Sequence, residues 1–86
     1  MSNSYVYILS DDTKTLIIKS KMITTESEKS QLSFYSKHLV YYEICDNIVE
    51  ADKRKKTFES WPDGKIKFLI DFVNPKWEDW KKEITN

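Results

Sequence analysis

The chain has 86 residues, 40% of them hydrophobic and 14% aromatic, with one Gly and two Pro; this suits one modest core spanning residues 1–86 and leaves no material for a second domain or a long linker. Fourteen basic and fourteen acidic residues cancel, so no global positive field gathers nucleic acid, and general binding driven by counterion release is disfavoured. Cys45 is the single cysteine, which excludes an internal disulfide and a Cys-rich zinc site within one chain. No apolar run approaches the roughly 20 residues of a bilayer span and no signal-peptide pattern opens the chain, so a cytoplasmic protein without a membrane partner is expected.

In chain order, Tyr5–Ser10 and Thr15–Ile23 are rich in aromatic and β-branched residues and are separated by the polar Asp11, Asp12, Thr13 and Lys14; this predicts an antiparallel hairpin. Tyr5, Tyr7 and Leu9 fall on one face of the first strand, and Val6 and Ile8 on the other. Both faces are apolar enough to require cover. Thr24–Ser36 predicts a short helix, with Thr25 and Glu28 in capping-box spacing. Leu39–Cys45 is the most strand-like segment, and Asp46 or Asn47 offers the N-cap of a following helix.

On that helix Ile48, Ala51, Lys55 and Phe58 share one stripe, with Arg54 and Trp61 at its margin. Lys55 is the odd member, since a lysine in an inward stripe must either snorkel out or meet an anion. Pro62, Asp63 and Gly64 end this helix and begin the next. There Ile66, Leu69, Ile70 and Val73 form one stripe, and Phe68 and Phe72 a second roughly opposite it. Asn74-Pro75 ends the second helix, and a short C-terminal helix is predicted from Trp77 and Trp80. The resulting class is α+β: a small three-stranded antiparallel sheet flanked by helices, in the order β-β-α-β-α-α with a final short α.

Several strings then carry a resemblance. SYVYIL at Ser4–Leu9, LVYYE at Leu39–Glu43, the helix ending at Trp61, and NPKWEDW at Asn74–Trp80, in this order, resemble the small single-domain bacterial members of the GIY-YIG nuclease superfamily. The resemblance implies metal-assisted hydrolysis of a phosphodiester, performed by two motif tyrosines, an arginine on the first helix and a glutamate on the long helix around one divalent cation. Tyr7 matches the first tyrosine. Ile17 stands where the second is implied, Lys19 where a glycine is implied, and Lys55 where the metal-binding glutamate is implied; the one arginine of the chain, Arg54, lies on the later helix. A protonated lysine does not ligate a hard cation and repels it. No catalytic residue and no resident cofactor is therefore expected.

Two site readings follow. Tyr7, Lys19, Lys21, Arg54 and Lys55 are candidates for an anion pocket that holds a phosphate without cleaving it; otherwise Tyr7 is a packed core tyrosine and the cations pair with Glu43, Glu50 or Asp52 or are solvated. Phe68 and Phe72, with Trp77 and Trp80, are candidates for an interaction face, the alternative being burial of the helix on both sides. The expectation is a catalytically inactive nuclease-like binding module. Its partner is a protein or a second copy ahead of DNA or RNA, which the neutral charge supports only weakly. From another class, a divergent endonuclease with relocated ligands would need Mg or Mn, with Glu43, Glu50, Asp52 and Glu59 as its acids. His38 reads as a turn histidine, and Cys45 as a small apolar residue.

Overall fold

A computed structural model describes residues 3–23 and 37–80. Strands β1 (Asn3–Ser10), β2 (Leu16–Ile23) and β3 (His38–Cys45) are followed by helices α1 (Ile48–Glu59) and α2 (Asp63–Val73). The fold is α+β, with an antiparallel three-stranded sheet in the order β2-β1-β3. The helix predicted over Thr24–Ser36 lies outside the described residues.

β1 is the centre of the sheet, and every residue from Ser4 to Ser10 is buried. Its alternation divides the core into two. Tyr5, Tyr7 and Leu9 join Leu39, with Ile17, Tyr42 and Trp80 packed against them. On the other face, Ile8 joins Val40, Ile66 and Ile70, bordered by Leu16, Ile18, Tyr41, Trp61 and Trp77. α1 and α2 cover this second face through Ala51, Phe58, Ile66 and Ile70.

The hairpin turn is built on Asp11. Its Oδ1 accepts from the Thr13 N–H at 2.9 Å, the Thr13 hydroxyl at 2.6 Å and the Thr15 N–H at 3.0 Å. Such bonds favour the charged form, so the Thr13 hydroxyl foremost, with Thr15, holds the Asp11 carboxyl below its ordinary range. α1 begins at Asn47, whose side chain accepts from the Glu50 N–H at 2.9 Å, satisfying one of the donors a helix start leaves open.

β3 carries an irregularity. Ile8 pairs with Tyr41 but Leu9 with Leu39, so Val40 is the extra residue of a bulge and shares the helix-covered face with Tyr41. The segment after α2 closes over this bulge. Asn74, itself buried, donates from Nδ2 to the Val40 carbonyl at 3.0 Å and to the Glu78 carbonyl at 2.9 Å, and its Oδ1 accepts from the Glu78 N–H at 3.0 Å. The Leu39 N–H donates to Asp79 Oδ1 at 3.1 Å, and the Trp80 N–H donates to the Leu39 carbonyl at 2.8 Å.

These bonds correct one expectation: residues 74–80 are not helical. The local pattern suits a helix at Trp77, but such a helix would leave the bulge carbonyls unpaired, and a buried unpaired carbonyl is costly. Trp77 accordingly sits at φ 52°, a left-handed conformation rare for a bulky residue and one held only by surrounding bonds.

Two outcomes follow from these contacts. Asn74→Ala leaves the Val40 carbonyl unpaired and should cost about 1–3 kcal/mol for that group alone, read as a lower urea midpoint with an unchanged slope. The native-state carboxyl of Asp11 is lowered, so its stabilisation is complete above the ordinary carboxylate range and is lost as pH falls through the lowered value. The wild-type melting temperature should therefore fall further than that of Asp11→Asn between about pH 5 and about pH 2, measured by circular dichroism.

Candidate functional site

The strand registers locate the candidate anion pocket. Tyr7 is directly opposite Lys19, and Tyr5 opposite Lys21; directly paired residues share a face, so Lys19 and Lys21 lie on the face of Tyr5, Tyr7 and Leu9. Ile17 packs into that same cluster. Arg54 and Lys55 lie on α1, over the opposite face, where Asp52 bonds the Ser20 hydroxyl and Arg54 bonds Glu43. The sheet therefore stands between the two halves of the expected pocket. Tyr7 is 1% exposed and presents no ring for a base to stack on. The five residues are not one site, because adjacent positions of a strand project to opposite faces and helical neighbours cannot bridge a sheet.

Arg54 is engaged within the fold. Its guanidinium holds Glu43 in a two-pronged pair, with Nε at 2.9 Å from Oε1 and a terminal nitrogen at 3.2 Å from Oε2. Tyr41 donates its hydroxyl to the same carboxylate. The guanidinium also lies 4.5 Å from the centre of the Phe58 ring and 5.8 Å from that of Trp61, a stacked arrangement that a planar cation favours. The Glu43 bond strengthens the charged state of Arg54. Burial, then Glu43, pushes the Tyr41 phenol up from an ordinary value that is already above the physiological range, so Tyr41 serves as a neutral donor. The arrangement fastens β3 to α1.

Three of the four acids weighed for a relocated metal site are also engaged: Glu43 with Arg54, Asp52 with Ser20, and Glu50 with Lys53 at 3.4 Å. Among the described residues no three His, Cys, Asp or Glu stand close enough together to hold a metal ion. His38 opens β3 opposite Ser10, within 4 Å of both Asp12 and Asp79. Burial pushes the Cys45 thiol up, which lowers its thiolate content and its reactivity.

The aromatic residues separate differently from the expectation. Phe68 and Phe72 are 72% and 79% exposed on the outer side of α2. Trp77 and Trp80 do not join them. Trp77 packs at the helix-covered core, with the Lys14 ammonium 4.5 Å from its ring centre and its Nε1 donating to Asp71. Trp80 packs on the opposite sheet face, edge-on to Tyr42 at 6.2 Å. The neighbours of Phe68 and Phe72 are Trp61, Lys65 and Leu69, which with them line a hollow of about 310 Å³.

Helical spacing groups Leu69 and Val73 with the inward stripe and sets Trp61 at the margin of α1, whereas Leu69 lines the outer hollow and Val73 is exposed. Trp61 lies outside both helices, in the connection before Pro62, and completes the hollow beside Lys65, Phe68, Leu69 and Phe72. Trp61 is held in place by Phe58, edge-on at 5.0 Å, and carries the Lys65 ammonium 4.2 Å over its ring. Ile66 and Ile70 anchor the opposite side of α2 in the core. The outer stripe is thus a fixed apolar surface on a rigid element.

The Glu43–Arg54 pair is partly exposed, so its coupling should be modest. A double-mutant cycle of Glu43→Gln and Arg54→Met should give about 0.5–1 kcal/mol in urea unfolding; additive effects would remove the pair as a fastening. Among the described residues no helix is long and apolar enough to cross a membrane. No protein-family model, no curated protein and no solved structure matches the chain.

Proposed function

We propose that this chain is a non-hydrolytic GIY-YIG-like domain that acts as a protein-interaction module through the outer face of α2. The observation that carries the reading is the exposure of Phe68 and Phe72 beside Trp61 and Leu69. Two phenylalanines in water on one helix, next to a hollow lined by two further large apolar side chains, form a contiguous patch rather than scattered exposure. Aromatic side chains fixed by a packed scaffold lose little entropy on docking and tend to dominate binding energy.

Loss of hydrolysis is supported by residue chemistry at the positions that the resemblance implies. Ile17 has no hydroxyl, and Lys19 and Lys55 bring positive charge where a cation would have to bind. A protein partner is favoured over DNA or RNA for two reasons. The chain has no net charge, and Arg54, the best phosphate-binding group, is held by Glu43 while Lys19 and Lys21 face the other way.

Purified protein incubated with DNA and RNA over Mg²⁺ and Mn²⁺ should show no cleavage. Metal-dependent cleavage abolished by Tyr7→Phe would overturn the reading in favour of a divergent endonuclease. In the same preparation, a photo-crosslinking amino acid at position 68 or 72 should yield protein adducts, and the same group at the exposed Ile44 of β3 should not. Equal labelling from all three positions would remove α2 as the docking face.

A further inference from the structure

The two edges of the sheet differ. Along β3, residues 74–80 bond the backbone groups of Leu39 and Val40. Along the outer edge of β2, no other backbone pairs with the strand among the described residues. An eight-residue strand open on one side can accept an extended segment, whose main-chain bonds supply affinity while neighbouring pockets select its side chains.

Such a pocket stands beside β2. Leu16, Ile18 and Ser20 share the helix-covered face of the strand. There the Ser20 hydroxyl bonds Asp52 near the start of α1, while Leu16 and Ile18 line a cleft with Phe58 and Glu59 at its end. α1 thus runs back along the edge strand, and the cleft between them has a volume of about 430 Å³. The buried Phe58 and Ile66 form its floor, and the exposed Glu59 and Asp63 stand at its rim.

Charge determines what fits. Asp63 is answered by Lys67 at 3.0 Å, whereas Glu59 forms no ion pair among the described residues. Glu59 is also the last residue of α1, where the helix end already carries negative partial charge, so an acid is unfavourable for the helix alone and an incoming cation offsets it. On the other face of β2, Lys19 is exposed and likewise forms no ion pair among the described residues. An added strand alternates as β2 does, so it presents successive side chains to the cleft and to Lys19 in turn.

We propose that the edge of β2 and this cleft bind an extended peptide segment of a partner protein, paired antiparallel to β2, the slightly more stable arrangement per residue. Running opposite Lys19, Ile18, Ile17 and Leu16, the segment reads acidic, apolar, any residue, basic. The acidic residue meets Lys19, the apolar side chain enters the cleft beside Ile18, and the basic residue meets Glu59. A nucleic acid does not fit, because the carboxylates at the rim repel phosphate.

A phage-displayed library of random peptides panned on the full chain tests the site. It should enrich that order, and a synthetic peptide of the enriched run should bind. Glu59→Lys should weaken this binding at least about tenfold, and exchanging the basic residue of the peptide for glutamate should restore it. Lys19→Glu should respond in the same way to a peptide whose acidic residue is exchanged for lysine. Both positions are exposed, so both variants should melt close to wild type. Bound peptide should slow amide hydrogen exchange most along β2.

Panning that enriches no common order, or a peptide whose binding neither charge reversal changes, overturns the site. The greatest slowing of exchange along β3 or α2 overturns strand addition. The cleft shares only Trp61 with the hollow beside Phe68 and Phe72, so either result leaves the docking face of α2 to its own crosslinking test.

Discussion

The side-chain amide of Asn74 is the constraint on which the rest of the described fold depends. It is buried, yet each of its polar atoms is matched: the Nδ2 group holds the Val40 and Glu78 carbonyls, and Oδ1 holds the Glu78 N–H. Its backbone N–H meanwhile closes α2 on the Ile70 carbonyl at 2.7 Å. One residue thus ends the second helix, turns the chain and binds it to the bulge of β3. An asparagine suits this place because it supplies donors and an acceptor in one planar group, which an aspartate or an apolar residue cannot do.

The bulge and the asparagine are complementary. The extra residue at Val40 breaks the regular pairing with β1, and residues 74–80 restore partners to Leu39 and Val40 on the open side of β3. This fixes where α2 can lie, because its last turn is fastened to β3 while Ile66 and Ile70 are in the core. The orientation of the Phe68 and Phe72 stripe toward solvent is a consequence of that fastening, not of any property of the two phenylalanines themselves.

Most elements were legible because their signals are local. Alternation placed the three strands, Asn47 capped α1 as its side chain allows, and helical spacing placed Ile66 and Ile70 inward, while Leu69 lines the outer hollow and Val73 is exposed. The site was less legible. Sequence alone cannot say on which side of the sheet α1 packs, so it groups Lys19 with Lys55 although the sheet separates them. The Arg54–Glu43 pair joins residues 11 apart on different elements, and no periodicity reports such a bond. Trp77 and Trp80 read as a helix because local propensity suits one, and the tertiary bonds to Leu39 and Val40 override it. Trp61 lies in the connection between α1 and α2, where no helical spacing links it to Phe68 and Phe72.

β2 lies at an edge of the sheet. An edge strand offers its backbone to any other strand of suitable length, and proteins that remain dispersed place charge there to prevent such templating. Lys19 and Lys21 alternate along this edge, and residues two apart on a strand share one face. A second β2 edge approaching in register would bring like charges together. The paired lysines of β2 therefore have a colloidal consequence: they disfavour growth of the sheet by addition of a second β2 strand.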